Sequence, residues 1–155
     1  MIIFPKMKSL YLFVFALLFT LSAKSQIYAP VKWSYATRLS AKTTATVFIK
    51  ATIDNGWHIY ALNLPEGGPK KTSIRFAPSK DYKLISKTVE PKAIRKYDES
   101  FHMNVDYHEK SVVFQQKINI SSGQTVVKGS VSFMSCDAKR CLPEETVNFS
   151  IPVKG

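Results

Sequence analysis

Apolar and polar positions alternate with a period of two along most of this chain. The sharpest case is Ser111 to Ile120, where Val112, Phe114, Gln116, Ile118 and Ile120 share one face and Val113, Gln115, Lys117 and Asn119 the other. Thr44 to Ile53 repeats the pattern, with Val47, Ile49, Ala51 and Ile53 set against Thr46, Phe48, Lys50 and Thr52. Successive side chains of a strand point to opposite faces, so both stretches predict strands with one deeply buried face. Asp54-Asn55-Gly56 is hairpin-turn chemistry, and Trp57 to Leu62 returns from it as an aromatic strand. Further strands are predicted at Val31 to Arg38, with Trp33 and Tyr35 on one face, and at Thr72 to Ala77 and Tyr82 to Val89. Ser121 to Gln124 turns the chain, Thr125 to Ser135 runs back with Val127, Val131 and Phe133 in phase, and Val147, Phe149, Ile151 and Val153 close the pattern. Glu66 to Lys71 reads as a loop whose glycines lack phosphate-binding spacing, and Glu90 to Met103 as a long irregular polar loop. No helical period persists beyond a turn. About eight short strands at regular spacing predict an all-β sandwich.

The first 25 residues break the pattern. Lys6 and Lys8 precede an apolar run from Leu10 to Leu21, interrupted by Thr20 alone, and Ala23-Lys24-Ser25 has the small-x-small form of a cleavage site. This is the grammar of a secretory signal, and the apolar run is shorter than the ~20 residues a spanning helix needs. Residues 26–155 then form one domain, of a size that hides roughly two thirds of its unfolded surface. The leader holds three of the 22 Lys and Arg and none of the 11 Asp and Glu, which leaves nineteen cations against eleven anions, a net +8. In an exported chain this reads as a solvated surface or an attraction to acidic partners, not as a nucleic-acid site.

The candidate chemistry is concentrated in Gly129 to Glu145, which holds the only two cysteines, Cys136 and Cys141. Export puts them in an oxidising compartment, where a disulfide is the simplest expectation. As a staple the bond is poorly placed: closing six residues is worth only about 2 kcal/mol, against ~4.7 for a 100-residue loop. A working redox pair and a local structural bond both remain open at this stage. Lys139 and Arg140 precede Cys141 while Asp137 follows Cys136, so local charge nominates Cys141 as the attacking sulfur and Cys136 as its resolving partner. A metal is the weaker alternative. His58, His102 and His108 have no compact zinc spacing, and a copper site would have to recruit Met103 and Met134.

The run Val131-x-Phe133-Met134-x-Cys136-Asp137-x-x-x-Cys141-Leu142-Pro143-Glu144 resembles the cysteine turn of the N-terminal periplasmic domain of the DsbD thiol:disulfide interchange family, the protein-disulfide reductases. Asp54-Asn55-Gly56-Trp57-His58-Ile59-Tyr60, Asp98-Glu99-Ser100-Phe101 and Val112 to Ile120 agree in the same order. The resemblance implies an immunoglobulin-like sandwich whose cysteine pair relays electrons, without metal or other cofactor. The donor would be membrane-embedded or thioredoxin-like, and the acceptors periplasmic thioredoxin-fold thiol-disulfide proteins. It further implies that Phe101 caps the pair with Asp98 and Glu99 beside it, and that His58 and Tyr60 line the site. The cysteine interval is shorter than in the family, and one proline follows the second cysteine instead of two. Such a protein is a thiol-disulfide oxidoreductase acting as a carrier between proteins, and because this chain stops at Gly155, its donor is expected to be a separate protein. The rival is a binding module on the same fold, with a structural Cys136–Cys141 bond.

Overall fold

The computed structural model describes residues 28–99 and 101–154; the leader and its cleavage site lie outside them, as does Ser100. Among the described residues there are strands and turns and no helix. The eleven strands are β1 (Val31–Ala41), β2 (Thr44–Ile53), β3 (His58–Tyr60), β4 (Ser73–Phe76), β5 (Tyr82–Leu84), β6 (Ile94–Asp98), β7 (Met103–Glu109), β8 (Ser111–Ile120), β9 (Gln124–Phe133), β10 (Ser135–Cys136) and β11 (Glu145–Lys154). They pair in three sheets, ordered β1-β2-β8-β5, β11-β9-β4 and β10-β3-β7-β6. The fold is all-β and immunoglobulin-like.

The first two sheets bury their apolar faces in one core. Val47, Ile49, Phe114 and Ile118 meet Val127, Val131, Phe149 and Ile151 there. β1 closes one side, with Trp33 edge-on to Phe133 at 5.2 Å between ring centroids and Tyr35 tilted against Phe149 at 5.6 Å. The expected alternation holds: in β8, Val112, Phe114, Gln116, Ile118 and Ile120 are all buried. Gln116 is tolerated in that row because its amide is fully engaged. It donates to the Ser86 and Lys117 carbonyls at 2.7 and 2.8 Å and accepts from the Thr88 hydroxyl at 2.7 Å.

The third sheet is the continuation of the β2/β8 ladder past a bend. After Thr52↔Ser111 the pairing breaks and resumes as His58↔Glu109. One chain turns through Asp54 to Trp57, with Gly56 at φ 81°, and the other through Lys110 at φ 62°. β9 crosses into the same sheet through Met134, which separates Phe133 from Ser135. The sandwich therefore ends in a small four-stranded corner that carries the cysteines.

Two expectations are corrected here. Among the described residues there are eleven strands instead of about eight, and Glu90 to Met103 is not an irregular loop. Its middle, Ile94–Asp98, is β6, the edge strand of the corner sheet, paired with β7. β6 shows no alternation because its side chains are exposed or at most half-buried, so its place rests on backbone pairing with β7. The predicted strands Trp57 to Leu62 and Tyr82 to Val89 shorten to three residues each, with Val89 retaining an isolated bridge to Gln115.

Candidate functional site

Period-two geometry sorts the corner sheet into two faces. Cys136 lies opposite His58 across the β10/β3 pair, and Tyr60 lies opposite Tyr107 across β3/β7. Val105 and Lys96 follow in register, so Cys136, His58, Tyr60, Tyr107, Glu109, Val105, Lys96 and Asp98 share one face. The other face looks back to the core. There His108 bonds through Nε2 to Glu90 at 2.9 Å, and that carboxylate also accepts the Leu62 N–H.

The disulfide is formed. Cys136 and Cys141 are joined at 2.05 Å and also bridge as a minimal antiparallel pair, so residues 137–140 make a tight turn. That turn closes by a bond from the Asp137 N–H to the Arg140 carbonyl, and Leu142 N–H donates to the Ser135 carbonyl. Asp137 Oδ1 accepts the Lys139 and Arg140 N–H groups at 2.7 and 2.8 Å, which holds its pKa below the usual carboxylate range. Arg140 lies over the Trp57 ring at 5.8 Å and faces Asp137 at 3.8 Å, so part of its positive charge is answered locally.

The two sulfurs live in different surroundings. Cys136 is only 2% exposed and packs with Tyr60, Val105 and Tyr107, backed by Leu64, Met103 and Met134. Cys141 is exposed. The Tyr60 hydroxyl lies 3.4 Å from Cys136 Sγ and shares its one proton between that sulfur and Asp98. Burial, and then the charge and hydrogen bond of Asp98, push the Tyr60 pKa up to about 12, so the phenol keeps its proton at any physiological pH. Burial likewise raises Tyr107, with Glu109 acting in the same sense.

A cleft of about 350 Å³ opens beside the cysteine turn, lined by His58, Lys96, Asp98, Glu99, Tyr107, Glu109, Asp137 and Ala138 among others. His58 is half-buried in its wall, edge-on to Tyr60 at 5.3 Å and tilted on Tyr107 at 4.9 Å. Desolvation lowers its pKa, against the opposing pull of Glu109, Asp98 and Asp137. Of the residues expected around the cysteines, His58, Asp98 and Glu99 line this cleft, while Tyr60 lies outside its lining and against Cys136. Phe101 stands half-buried at the tip of the β6/β7 turn, where its N–H donates to Asp98 Oδ1 at 3.4 Å, and it is not among the residues lining the cleft. Sequence reasoning missed Tyr107 and Glu109. The alternation of Met103, Val105 and Tyr107 with Asn104, Asp106 and His108 was the signal available for them. The three histidines do not converge, and among the described residues no group of three or more His, Cys, Asp or Glu is gathered as a metal would require.

An all-β sandwich with a half-exposed disulfide at a corner of its sheets defines the class. The family described as thiol:disulfide interchange protein DsbD, N-terminal, matches residues 24–152, and the chain belongs to it. The fold is similar to that of the reduced DsbD N-terminal domain of Neisseria meningitidis, with a TM-score of 0.54 at 16% identity over 78% of this chain and 86% of that one. The N-terminal periplasmic domain of ScsB from Proteus mirabilis gives 0.58 at 15% identity, over 82% of this chain and 47% of that one. The Neisseria DsbD N-terminal domain in complex with the PilB N-terminal domain gives 0.53 at 16%, over 81% and 87%. No curated protein matches the sequence.

Proposed function

We propose that this is an exported thiol:disulfide exchange domain that carries electrons through Cys136 and Cys141 in the periplasm. The observation that carries the reading is the asymmetry of the pair, Cys141 an exposed residue and Cys136 buried against Tyr60. An incoming thiolate has access to Cys141 alone, so Cys141 forms the mixed disulfide and Cys136 leaves or resolves it. Family membership supports the same chemistry. The Neisseria relative's complex with PilB supports a protein partner. Thioredoxin-fold proteins of the periplasm are the acceptors in this account, and a membrane-embedded or thioredoxin-like protein is the donor. Asp98 at the end of β6, with Glu99 and Phe101 in the turn that follows, forms a cover that partners displace.

Two measurements test it. A working pair titrates well above the roughly −300 mV below which structural disulfides of secreted proteins lie. Cys136→Ser leaves Cys141 unable to be resolved, and it should accumulate mixed disulfides with exported thioredoxin-fold proteins. A potential in the structural range together with no trapped partner would return the domain to the binding-module reading.

A further inference from the structure

Opening the disulfide at Cys141 places the electron pair of the broken bond on Cys136 Sγ, in a site 2% exposed. A thiolate there needs a proton, and a thiol there must lose one before it can attack. The Tyr60 hydroxyl, shared with Asp98, reaches this sulfur, but with its pKa pushed up to about 12 it does not release the proton. His58 is the next group. It is the antiparallel partner of Cys136, and directly opposed residues on one face of such a pair have Cβ atoms about 5 Å apart. Its ring is braced by Tyr60 and Tyr107 and opens on the cleft, which gives it a route to solvent.

Resting on the exchange reading above, we propose that His58 is the proton-transfer group for Cys136, directly or through one water of the cleft. In the opening half, a donor thiolate attacks Cys141 Sγ. The donor–Cys141 bond forms as the Cys141–Cys136 bond breaks, and the imidazolium of His58 protonates the departing Cys136 thiolate. The donor's second thiolate then displaces Cys141, and the donor leaves as a disulfide, two electrons poorer. In the closing half, the Cys141 thiolate attacks an acceptor disulfide. Neutral His58 takes the Cys136 proton, and the Cys136 thiolate displaces the acceptor from Cys141. The internal disulfide re-forms, and the acceptor leaves with two electrons, its thiolates taking up protons from water.

The groups facing His58 are Tyr60 on its own strand, Tyr107 and Glu109 on β7, Lys96 and Asp98 on β6, and Asp137 on the cysteine turn. Burial first, and Lys96 with it, lower the imidazole pKa, while the three carboxylates act against them without restoring it. His58 is thus a neutral base at neutral pH and an acid only below its ordinary range. The two halves of the cycle accordingly have opposite pH preferences.

The test uses the mature protein with dithiothreitol for opening and oxidised glutathione for closing, from pH 5 to 8. Acid-quenched alkylation counts free thiols, and mass spectrometry follows the Cys141–glutathione adduct. In the wild type, the opening rate per dithiothreitol thiolate should fall as pH rises through the histidine titration, while release of glutathione from Cys141 speeds up over the same range. His58→Gln and His58→Phe should lose both inflections and release glutathione at least about ten-fold more slowly at pH 7. Two variants are used so that one folded form, checked by its urea midpoint, suffices. Inflections that persist in the variants, or release at the wild-type rate, would overturn the assignment while leaving the exchange reading intact. A wild-type disulfide inert to both probes would overturn the exchange reading, and the role of His58 with it.

Discussion

Tyr60 shows how one side chain serves fold and site together. Its ring belongs to the small apolar cluster around Cys136, and its hydroxyl, shared with Asp98, reaches the buried sulfur. A hydrogen bond of this kind is worth about 1 kcal/mol, and it counts for more once the sulfur carries charge. Tyr60→Phe should therefore slow opening by dithiothreitol at least about five-fold with little change in fold, which quenched alkylation would read directly. The same phenol makes a second prediction. Its pKa stands at about 12 in the folded protein against 10.0 for an ordinary tyrosine. Between those values the unfolded chain has lost the proton and the folded chain has kept it, so stability falls as pH rises across that window. Tyr35, Tyr82 and Tyr107 are raised as well, so Tyr60→Phe should flatten the alkaline decline in part. Urea unfolding at pH 9.5 to 11.5 checks this, and an unchanged slope would assign the decline to the other tyrosines.

Strands were legible wherever one face is buried and the other wet. β8 satisfies that condition over ten residues and β2 over its second half, and both emerge where the alternation puts them. β6 violates it, being exposed along most of its length, and only its ladder with β7 defines it. That is why the site's outer wall could not be placed from periodicity, although the cysteine turn and the His58–Tyr60 strand could. Packing constraints invisible to a hydrophobic pattern also act at β9. This strand is clamped between β4 and β11, and a Cβ on Gly129 would lie 2.2 Å from the Arg75 carbonyl oxygen and 2.5 Å from the Phe149 ring. The carbonyl is held by a sheet and has no room to give, so Gly129→Ala should cost about 3 kcal/mol by overpacking, measured as a lowered urea midpoint. Gly123, with nothing within 4 Å of its would-be Cβ, is the matched control and should tolerate alanine with little change. At the β6/β7 turn, truncation is expected to act on kinetics instead: Phe101→Ala should speed attack by small thiols if the turn covers the disulfide, and an equal rate would remove Phe101 from the site.

At the scale of the whole molecule, the division of labour between the two clusters decides what the disulfide is for. The large core lies between the two main sheets and holds nineteen buried residues, none of them a cysteine, while Cys136 belongs to the small cluster at the corner. Cutting the bond therefore leaves the main core closed and removes only the constraint on a six-residue span, worth about 2 kcal/mol. The corner keeps its position without it, because β3 and β7 continue the β2/β8 ladder and the Ile53 N–H still donates to the Lys110 carbonyl. The proposed carrier role requires a shape held in both redox states, and a bond placed outside the core is compatible with that requirement. The reduced wild type should accordingly unfold cooperatively in urea, with a stability about 2 kcal/mol below that of the oxidised form. The double variant Cys136→Ala/Cys141→Ala should stay folded as well, losing about 1 kcal/mol more for the space left by the buried sulfur. Loss of cooperative unfolding on reduction would mean that the bond holds the corner together, and a bond needed for folding is ill-suited to open and close in each turn of a relay.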